Sequence, residues 1–339
     1  MAIIVVHNPI TDPYFNIALD TWLVREAPFD AQYLMLWQNQ PAVIIGRFQN
    51  THEEVNVDFA RSHEIAIVRR MSGGGAVFHD LGNLNFSMVV PTDGYSFNDY
   101  AAFTQPVIDT LAHYGVSTEL SGRNDVLVNG HKFSGNAQYR TTSRLLHHGT
   151  ILFDADLAMV SQILTVRPDK LHSKGIKSVR SRVTNIRPYL PGNVTLDDFR
   201  RTLLGAIAKH NGGIADHWSL NETQISAVRK LQQDRFNQWD WNFGASPPFN
   251  LLGRERFPQG ELDVRLYVAH NIIEHIKIYG DFLGPIAIDP LEEALLYQPY
   301  DRSLIAALLD TFPVETYLGG VTRYQLMQVL FDMTPASCW

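Results

Sequence analysis

A run of three glycines is the strongest chemical signal in this sequence. Gly73, Gly74 and Gly75 lie within the segment Arg69–Asp80, between two short apolar segments that predict β-strands. Glycine lets the backbone approach a ligand closely, and backbone N–H groups beside arginine suit an anionic or carboxylate-bearing ligand. The segment is not a Walker loop, because neither the lysine nor the helix of that motif follows. An ordinary flexible turn is the alternative interpretation.

An aspartate and a lysine lie on the two arms of a predicted hairpin. The dipeptide Asn129-Gly130 is typical of a two-residue type I′ turn, and apolar residues flank it on both sides. Asp125 then lies farther from the turn than Lys132, and both can border one cavity. A carboxylate that can hold a divalent cation, beside an ammonium that can neutralise phosphate, suits transfer chemistry at a nucleotide. A surface salt bridge is the simpler interpretation.

Three other polar segments carry weaker signals. The segment His79–Asn85 contains acid and amide side chains, which are also common in turns. The segment Lys170–Asn185 is basic and contains glycine and serine, which is typical of a solvated loop that could also close over phosphates. The pair His147–His148 lies on a predicted strand, so the two rings point to opposite faces and cannot chelate one ion.

Composition bounds the class of protein. The 339 residues, 45% of them hydrophobic, suffice for a large domain and a smaller one. The net charge of −7 argues against bulk nucleic-acid binding. A single cysteine, Cys338, excludes an internal disulfide and favours a reducing cytoplasm. The N-terminus lacks the basic region of a signal peptide, and we expect no membrane partner.

The order of the predicted elements favours an α+β fold over a doubly wound sheet. Strands are predicted at 42–45, 65–68, 76–79, 85–90, 148–153, 262–268 and 272–279, and helices at 98–114, 156–164, 222–239, 301–312 and 322–331. A segment rich in glycine, serine and proline follows Trp241 and predicts a linker. We therefore expect one domain at 1–245 and a second at 251–339.

These clusters, in this order, resemble the lipoate-protein ligase A family of the biotin/lipoate ligase superfamily. The resemblance is carried by Arg69–Asp80 with Gly82-Asn83, Gly122–Asp125, Lys132–Gly135, His147–Thr150 and Lys174–Arg182, and by Trp241–Gly244 with Ser246-Pro247 before the C-terminal residues. It covers essentially the whole chain. It implies a mixed β-sheet catalytic domain of the biotin/lipoate ligase type, followed by a small α/β accessory domain.

The resemblance also implies an ATP-dependent, two-step reaction. Lipoate and ATP would give lipoyl-AMP and pyrophosphate, and the lipoyl group would then pass to a lysine of a carrier domain. The implied acceptors are the E2 lipoyl domains of 2-oxoacid dehydrogenases and the H protein of glycine cleavage, and the implied cofactors are ATP and Mg²⁺. Lys132 is the expected catalytic residue, because a fixed ammonium can stabilise charge that develops on phosphate.

The remaining site residues follow from the same resemblance. Asp125 is expected to place the metal. Residues expected to bind lipoate or the adenylate are Arg70, Ser72, Gly73, Gly74, Gly75, Val77, Phe78, Asn83, Lys132, Ser134, Gly135, His148, Gly149, Thr150, Lys174 and Arg180.

Three other functions were weighed against ligation. An octanoyl or lipoyl transferase that acts without adenylation needs a usable cysteine, and Cys338 lies far in sequence from every cluster. A non-catalytic lipoyl-domain-binding protein has no need of the Asp125 and Lys132 pair. A biotin ligase would carry a Gly-Arg-rich loop, which the sequence lacks. We expect a monomeric cytoplasmic enzyme, and the sequence leaves open the preferred acceptor and the choice between lipoate and octanoate.

Overall fold

The computed structural model describes residues 2–28, 31–122, 124–165, 183–244 and 249–335. These residues form two compact units. The first contains the described parts of Met1–Ile45, His52–Arg69 and Ala76–Asn242, and the second contains Gly46–Thr51, Arg70–Gly75 and the described part of Phe243–Trp339. The predicted domains at 1–245 and 251–339 stay a prediction, and two short segments of the first range pack with the C-terminal residues.

Helices and strands alternate irregularly along the chain. The strands are β1 Ile3–Val6, β2 Gln32–Trp37, β3 Ala42–Ile45, β4 Ala66–Arg69, β5 Val77–His79, β6 Asn83–Pro91, β7 Thr118–Ser121, β8 Asp125–Val128, β9 His131–Arg140, β10 Arg144–Leu152, β11 Ile214–Trp218, β12 Leu251–Phe257, β13 Gly260–Ala269, β14 Ile272–Gly280 and β15 Thr334–Pro335. The α-helices are α1 Pro13–Glu26, α2 Thr51–Glu54, α3 Val57–Ser62, α4 Ala101–His113, α5 Leu157–Ile163, α6 Leu196–His210, α7 Glu222–Leu231, α8 Trp239–Asn242, α9 Asp289–Leu295, α10 Arg302–Leu309, α11 Val314–Tyr317 and α12 Arg323–Phe331. The α+β class predicted from the sequence is confirmed.

A mixed sheet dominates the first unit. Over the described ranges its strand order is β11-β1-β2-β6-β10-β9-β8-β7, with β1 parallel to both neighbours and antiparallel pairs from β2 to β7. The predicted hairpin is present between β8 and β9. Asn129 and Gly130 have φ values of 49° and 77°, as a type I′ turn requires.

The two faces of this sheet differ in chemistry. Side chains alternate along β6, so Leu84 and Phe86 enter an apolar core together with Phe103 of α4 and Phe199 of α6. Asn83, Asn85 and Ser87 alternate with them and lie on the other face, together with Val89. Burial of the apolar face supplies the main driving force for folding, which leaves the second face available for polar groups.

A second, smaller sheet in the first unit positions the start of the glycine segment. Its order among the described strands is β4-β3-β5, so β4 and β5 both pair with β3 and not with each other. Residues 70–75 therefore connect the two outer strands. The end of β4 is held by Asn242, whose side-chain Oδ1 accepts from the backbone N–H of Arg69 at 2.9 Å.

The second unit is built on an antiparallel sheet. Within the residues described, its strand order is β14-β13-β12-β15. Leu262, Val264 and Leu266 of β13 are fully buried against apolar residues of α9, α10 and α12. Along the described parts of the chain, no helix is both long and apolar enough to cross a membrane.

His147 gives the fold a dependence on pH. Its ring is fully buried, stacks on Phe103 at a centroid distance of 4.5 Å, and lies within 3.2 Å of both Gln138 Nε2 and Asn136 Oδ1. Gln138 donates to Nδ1 and the ring donates from Nε2, so the histidine is neutral. Burial, and to a smaller extent the nearby His148, holds the pKa of His147 well below its usual 6.5.

We expect the free energy of unfolding to fall as pH decreases below about 6.5. There the unfolded chain binds a proton at His147 that the folded chain excludes, so each further decrease in pH favours the unfolded chain. Urea unfolding at several pH values measures this slope. In His147→Gln, the slope of the unfolding free energy against pH should decrease by the equivalent of one bound proton. The variant His217→Gln, which changes an exposed histidine, is the control. Equal slopes in wild type and His147→Gln would contradict this account.

Candidate active site

One row of residues crosses the polar face of the large sheet on adjacent strands. The register pairs Trp37 of β2 with Asn85 of β6, and Asn85 with Thr150 of β10. Thr150 lies beside Gly135 of β9, whose N–H donates to Thr150 Oγ1 at 3.3 Å, and Gly135 pairs with Asp125 of β8. The row therefore runs from an indole at one end to a carboxylate at the other.

The ammonium of Lys132 lies directly over this row. A Cβ atom placed on Gly135 would be 2.8 Å from Lys132 Nζ, so the lysine side chain occupies the space that any other residue at 135 would fill. The ammonium also contacts Asp125 Oδ1 at 2.7 Å. The salt bridge that is the simpler interpretation of this pair is therefore present, and the absent side chain of Gly135 leaves room for it.

A β-bulge puts Lys132 on the polar face. Val126 pairs with Ser134 and the next residue, Leu127, pairs with Lys132, so Phe133 is an extra residue in β9. The Phe133 ring is fully buried in the apolar core. The bulge therefore lets one short segment send a phenyl ring to the core and an ammonium to the site.

The ion pair is only partly shielded from water. The side chains of Lys132 and Asp125 are 23% and 17% exposed. A pair at this depth stabilises the fold modestly and leaves the ammonium accessible to an anionic ligand. No group of three or more His, Cys, Asp or Glu side chains that could hold a metal exists among the described residues. The donor set fits Mg²⁺ only if Asp125 acts with ligand phosphates, which is the usual arrangement for this ion.

The adjacent histidines serve opposite faces, as predicted. His147 lies in the core, whereas His148 Nδ1 contacts Asp20 Oδ2 of α1 at 2.6 Å on the polar face. Asp20 is buried and reaches the sheet from α1, most of whose buried residues are apolar. The contact fixes the orientation of the His148 ring beside the row.

Two buried asparagines on β6 are incompletely paired. Asn83 Nδ2 donates to Asn85 Oδ1 at 2.9 Å, and the two side chains are 0% and 1% exposed. Within the part of the chain that the structure describes, Asn83 Oδ1 and Asn85 Nδ2 have no hydrogen-bond partner. A buried polar atom without a partner costs roughly 1–3 kcal/mol. Such atoms point to a ligand or an ordered water.

The other predicted residues of the first unit have different surroundings. Ser134 and Gly149 lie on the core side of the sheet, where Ser134 Oγ accepts from Asn136 Nδ2 at 3.3 Å. Phe78 is buried on β5, and Val77 is half-buried next to it.

Lys174 and Arg180, the two predicted site residues of the basic segment, lie outside the described residues. The chain is described again from Val183, which forms a bridge with Lys132, and Thr184 N–H donates to Lys132 O at 2.9 Å.

The glycine segment belongs to the second unit and is held by its own arginine. Arg70 Nη2 donates to the carbonyls of Gly73 and Gly75 at 2.6 and 2.9 Å, and Arg70 Nε donates to Ser72 Oγ at 3.0 Å. Gly74 has a φ of 89°, which favours glycine. The arginine predicted to meet an anionic ligand therefore also orders the loop.

Contacts with the C-terminal residues complete the setting of this loop. Gly74 N–H donates to Phe282 O at 3.3 Å, and a Cβ atom on Gly73 would approach that carbonyl to 2.2 Å. Phe282 also stacks on Phe48, with ring centroids 4.7 Å apart. A side chain at residue 73 would therefore push the loop away from the Phe282 backbone.

Sequence reasoning missed several polar residues near the row. Asn16 Nδ2 donates to Asn39 Oδ1 at 2.8 Å, and Asn39 Nδ2 lies 3.1 Å from His79 Nδ1, so His79 carries its hydrogen on Nε2. The His79 ring packs edge-on against Trp37. The available signal was the spacing of Asn16 and Asp20, two polar residues four apart in an apolar helix.

Comparison with known proteins agrees with the motifs. The model of the lipoyl protein ligase A/B catalytic domain matches residues 12–208, and that of the bacterial lipoate protein ligase C-terminus matches residues 246–330. The chain belongs to the lipoate-protein ligase family. The lipoate-protein ligase LplJ of Bacillus subtilis (strain 168) is 43% identical to it over 323 residues, which cover 95% of this chain and 98% of that protein.

Solved structures of lipoate ligases share the fold. P. falciparum LipL1 in complex with lipoate has a TM-score of 0.81 at 26% identity, over 96% of this chain and 99% of that chain. A lipoate-protein ligase A bound with ATP has a TM-score of 0.64 at 26% identity, over 72% and 99%. An archaeal bipartite ligase from Thermoplasma acidophilum, studied with its E2 lipoyl domain, has a TM-score of 0.66 at 28% identity, over 73% and 98%.

Two glycine substitutions on adjacent strands should differ in their effect on stability. In Gly135→Ala the new methyl group meets the flexible end of Lys132, which can move, so we expect less than about 1 kcal/mol of destabilisation and a displaced ammonium. In Gly149→Ala it meets Asn136 Oδ1 and the Phe86 ring at 2.2 and 2.5 Å, so we expect about 2–3 kcal/mol. Urea unfolding measures the free energy of unfolding of both variants. Equal losses of stability would contradict the placement of Gly135 under the Lys132 ammonium and of Gly149 against Asn136 and Phe86.

Proposed function

We propose that this enzyme is an ATP-dependent lipoate-protein ligase that forms lipoyl-AMP and transfers the lipoyl group to a carrier-domain lysine. The observation that carries the proposal is the Lys132 ammonium, held over Gly135 by Asp125 at the carboxylate end of the row. Relatives solved with lipoate and with ATP support the two substrates. Each step follows from what this ammonium can do.

In the first step, a lipoate carboxylate oxygen attacks the α-phosphorus of ATP. A bond forms between that oxygen and phosphorus, the bond from phosphorus to the bridging oxygen breaks, and pyrophosphate leaves. Negative charge increases on the phosphate oxygens as the bonds change. The Lys132 ammonium is positioned to hold the carboxylate and to stabilise this charge by electrostatics, without a covalent enzyme intermediate.

In the second step, the acceptor lysine attacks the acyl carbonyl of the adenylate and AMP leaves. The nucleophile belongs to the partner protein, so the enzyme needs no nucleophile of its own. The archaeal relative studied with an E2 lipoyl domain supports carrier domains of this class as acceptors, and we propose E2 lipoyl domains and H protein. A transferase that uses a cysteine thioester is disfavoured, because Cys338 is the only cysteine in the sequence and lies far in sequence from the glycine segment and from Lys132.

Asp125 has two roles in this proposal. It holds Lys132 through the ion pair at 2.7 Å, and it offers a carboxylate to Mg²⁺ in company with ATP phosphates. The metal, when bound, would neutralise charge on the phosphates.

The other proposed contacts keep their predicted assignments. Thr150 lies in the row, His148 lies beside it, and Asn83 lies on the same face. We propose that lipoate or its adenylate also contacts Arg70, Ser72, Gly73, Gly74, Gly75, Val77, Phe78, Ser134, Gly135, Gly149, Lys174 and Arg180. Val183 and Thr184, at the C-terminal end of the basic segment Lys170–Asn185, pair with the Lys132 backbone, which supports a role for that segment near the ammonium.

Lipoate-dependent exchange between ATP and pyrophosphate tests the first step. We expect wild type to catalyse exchange and Lys132→Ala to lose at least about a hundredfold in rate, because a fixed charge that stabilises the transition state is removed. Lys230→Ala is the matched control, since Lys230 is exposed and pairs with Asp234 on α7 and the turn after it. No exchange by wild type, or undiminished exchange by Lys132→Ala, would contradict the proposal.

A further inference from the structure

The unpaired amide of Asn85 is a buried donor on the face that carries the site. Its side chain is 1% exposed, and over the described residues its Nδ2 has no hydrogen-bond partner. A folded chain ordinarily pairs such an atom, so its presence beside a binding site indicates a partner that the ligand supplies. The partner must accept a hydrogen bond.

The orientation of this amide is fixed by its neighbour. Asn83 Nδ2 donates to Asn85 Oδ1 at 2.9 Å, so the carbonyl end of Asn85 faces Asn83. Reversal of the Asn85 amide alone would place two donor groups against each other, so the two amides can reverse only together. In the arrangement that the structure shows, the atom left for a ligand is the Nδ2 donor.

The position of Asn85 along the row sets which part of a ligand it can meet. From Gly135, over which the Lys132 ammonium lies, the row passes Thr150 and reaches Asn85 after two strand spacings, or about 10 Å. An eight-carbon acid has seven carbon–carbon bonds of ~1.5 Å, which span about 9 Å in a zigzag. With its carboxylate at Lys132, the far end of such an acid reaches Asn85 and then Trp37.

We propose that Asn85 Nδ2 donates to a sulfur of the lipoate ring and so favours lipoate over octanoate. Sulfur accepts a hydrogen bond weakly, whereas the last carbons of octanoate offer no acceptor at all. Octanoate leaves the buried donor unpaired, and lipoate does not. The inference deepens the proposed function, because it rests on the acid carboxylate binding at Lys132.

The test compares two acids in two assays. Calorimetric binding of lipoate and of octanoate, and exchange of pyrophosphate with each, are measured for wild type and for Asn85→Leu, which has nearly the same volume. We expect the ratio of lipoate to octanoate affinity to fall about fivefold in the variant, through weaker lipoate binding with octanoate unchanged or tighter. Thr110→Val, which removes a buried hydroxyl from α4, is the control and should keep the wild-type ratio.

The possible results separate this inference from the proposed function. An unchanged ratio in a folded Asn85→Leu protein, or an equal loss for both acids, overturns the role of Asn85. If wild type binds the acids but exchanges no pyrophosphate, the proposed ligation fails while the binding ratio still decides the role of Asn85. Wild type that binds neither acid overturns the inference. If Asn85→Leu does not fold, Asn85→Val, which suits a strand, repeats the comparison.

Discussion

The contact between Lys132 and Asp125 depends on three features of the backbone of β8 and β9. It needs a bulge to turn the lysine to the correct face, a glycine to leave room for its stem, and a tight turn to bring β8 beside β9. None of these features stabilises the fold much by itself. Together they place one ammonium on a rigid sheet, which is what electrostatic stabilisation of a phosphate requires.

The same strands provide both the stability of the first unit and its chemistry. Phe86 and Phe133 enter the core, whereas Asn85 and Lys132, one residue away from each, lie on the polar face. The apolar face offsets the cost of burying amides and an ion pair on the other. A substitution on the core face can therefore disturb the site through the backbone that the two faces share.

Local patterns predicted the hairpin and the strand that carries Lys132 well. Asn129-Gly130 defined the turn, alternation placed His147 and His148 on opposite faces, and the motif Lys132–Gly135 fell on the strand that follows. Helix α1 was missed because it is buried on nearly every side and has no polar stripe to reveal its period. The packing of the glycine segment with Phe282 was also missed, since more than two hundred residues separate them and no local signal reports such contacts. The bulge at Phe133 has no short-range signature either.

The bulge at Phe133 also limits how β9 can change during evolution. Side chains alternate with a period of two, so one residue inserted in this segment without a change in the bulge to absorb it would exchange the two faces. The ammonium would then enter the core and the phenyl ring would enter the site. A change of one residue in the length of this segment therefore requires a compensating change in the bulge, whereas loops elsewhere can lengthen by single residues. The hairpin should therefore keep its length across relatives more strictly than its sequence.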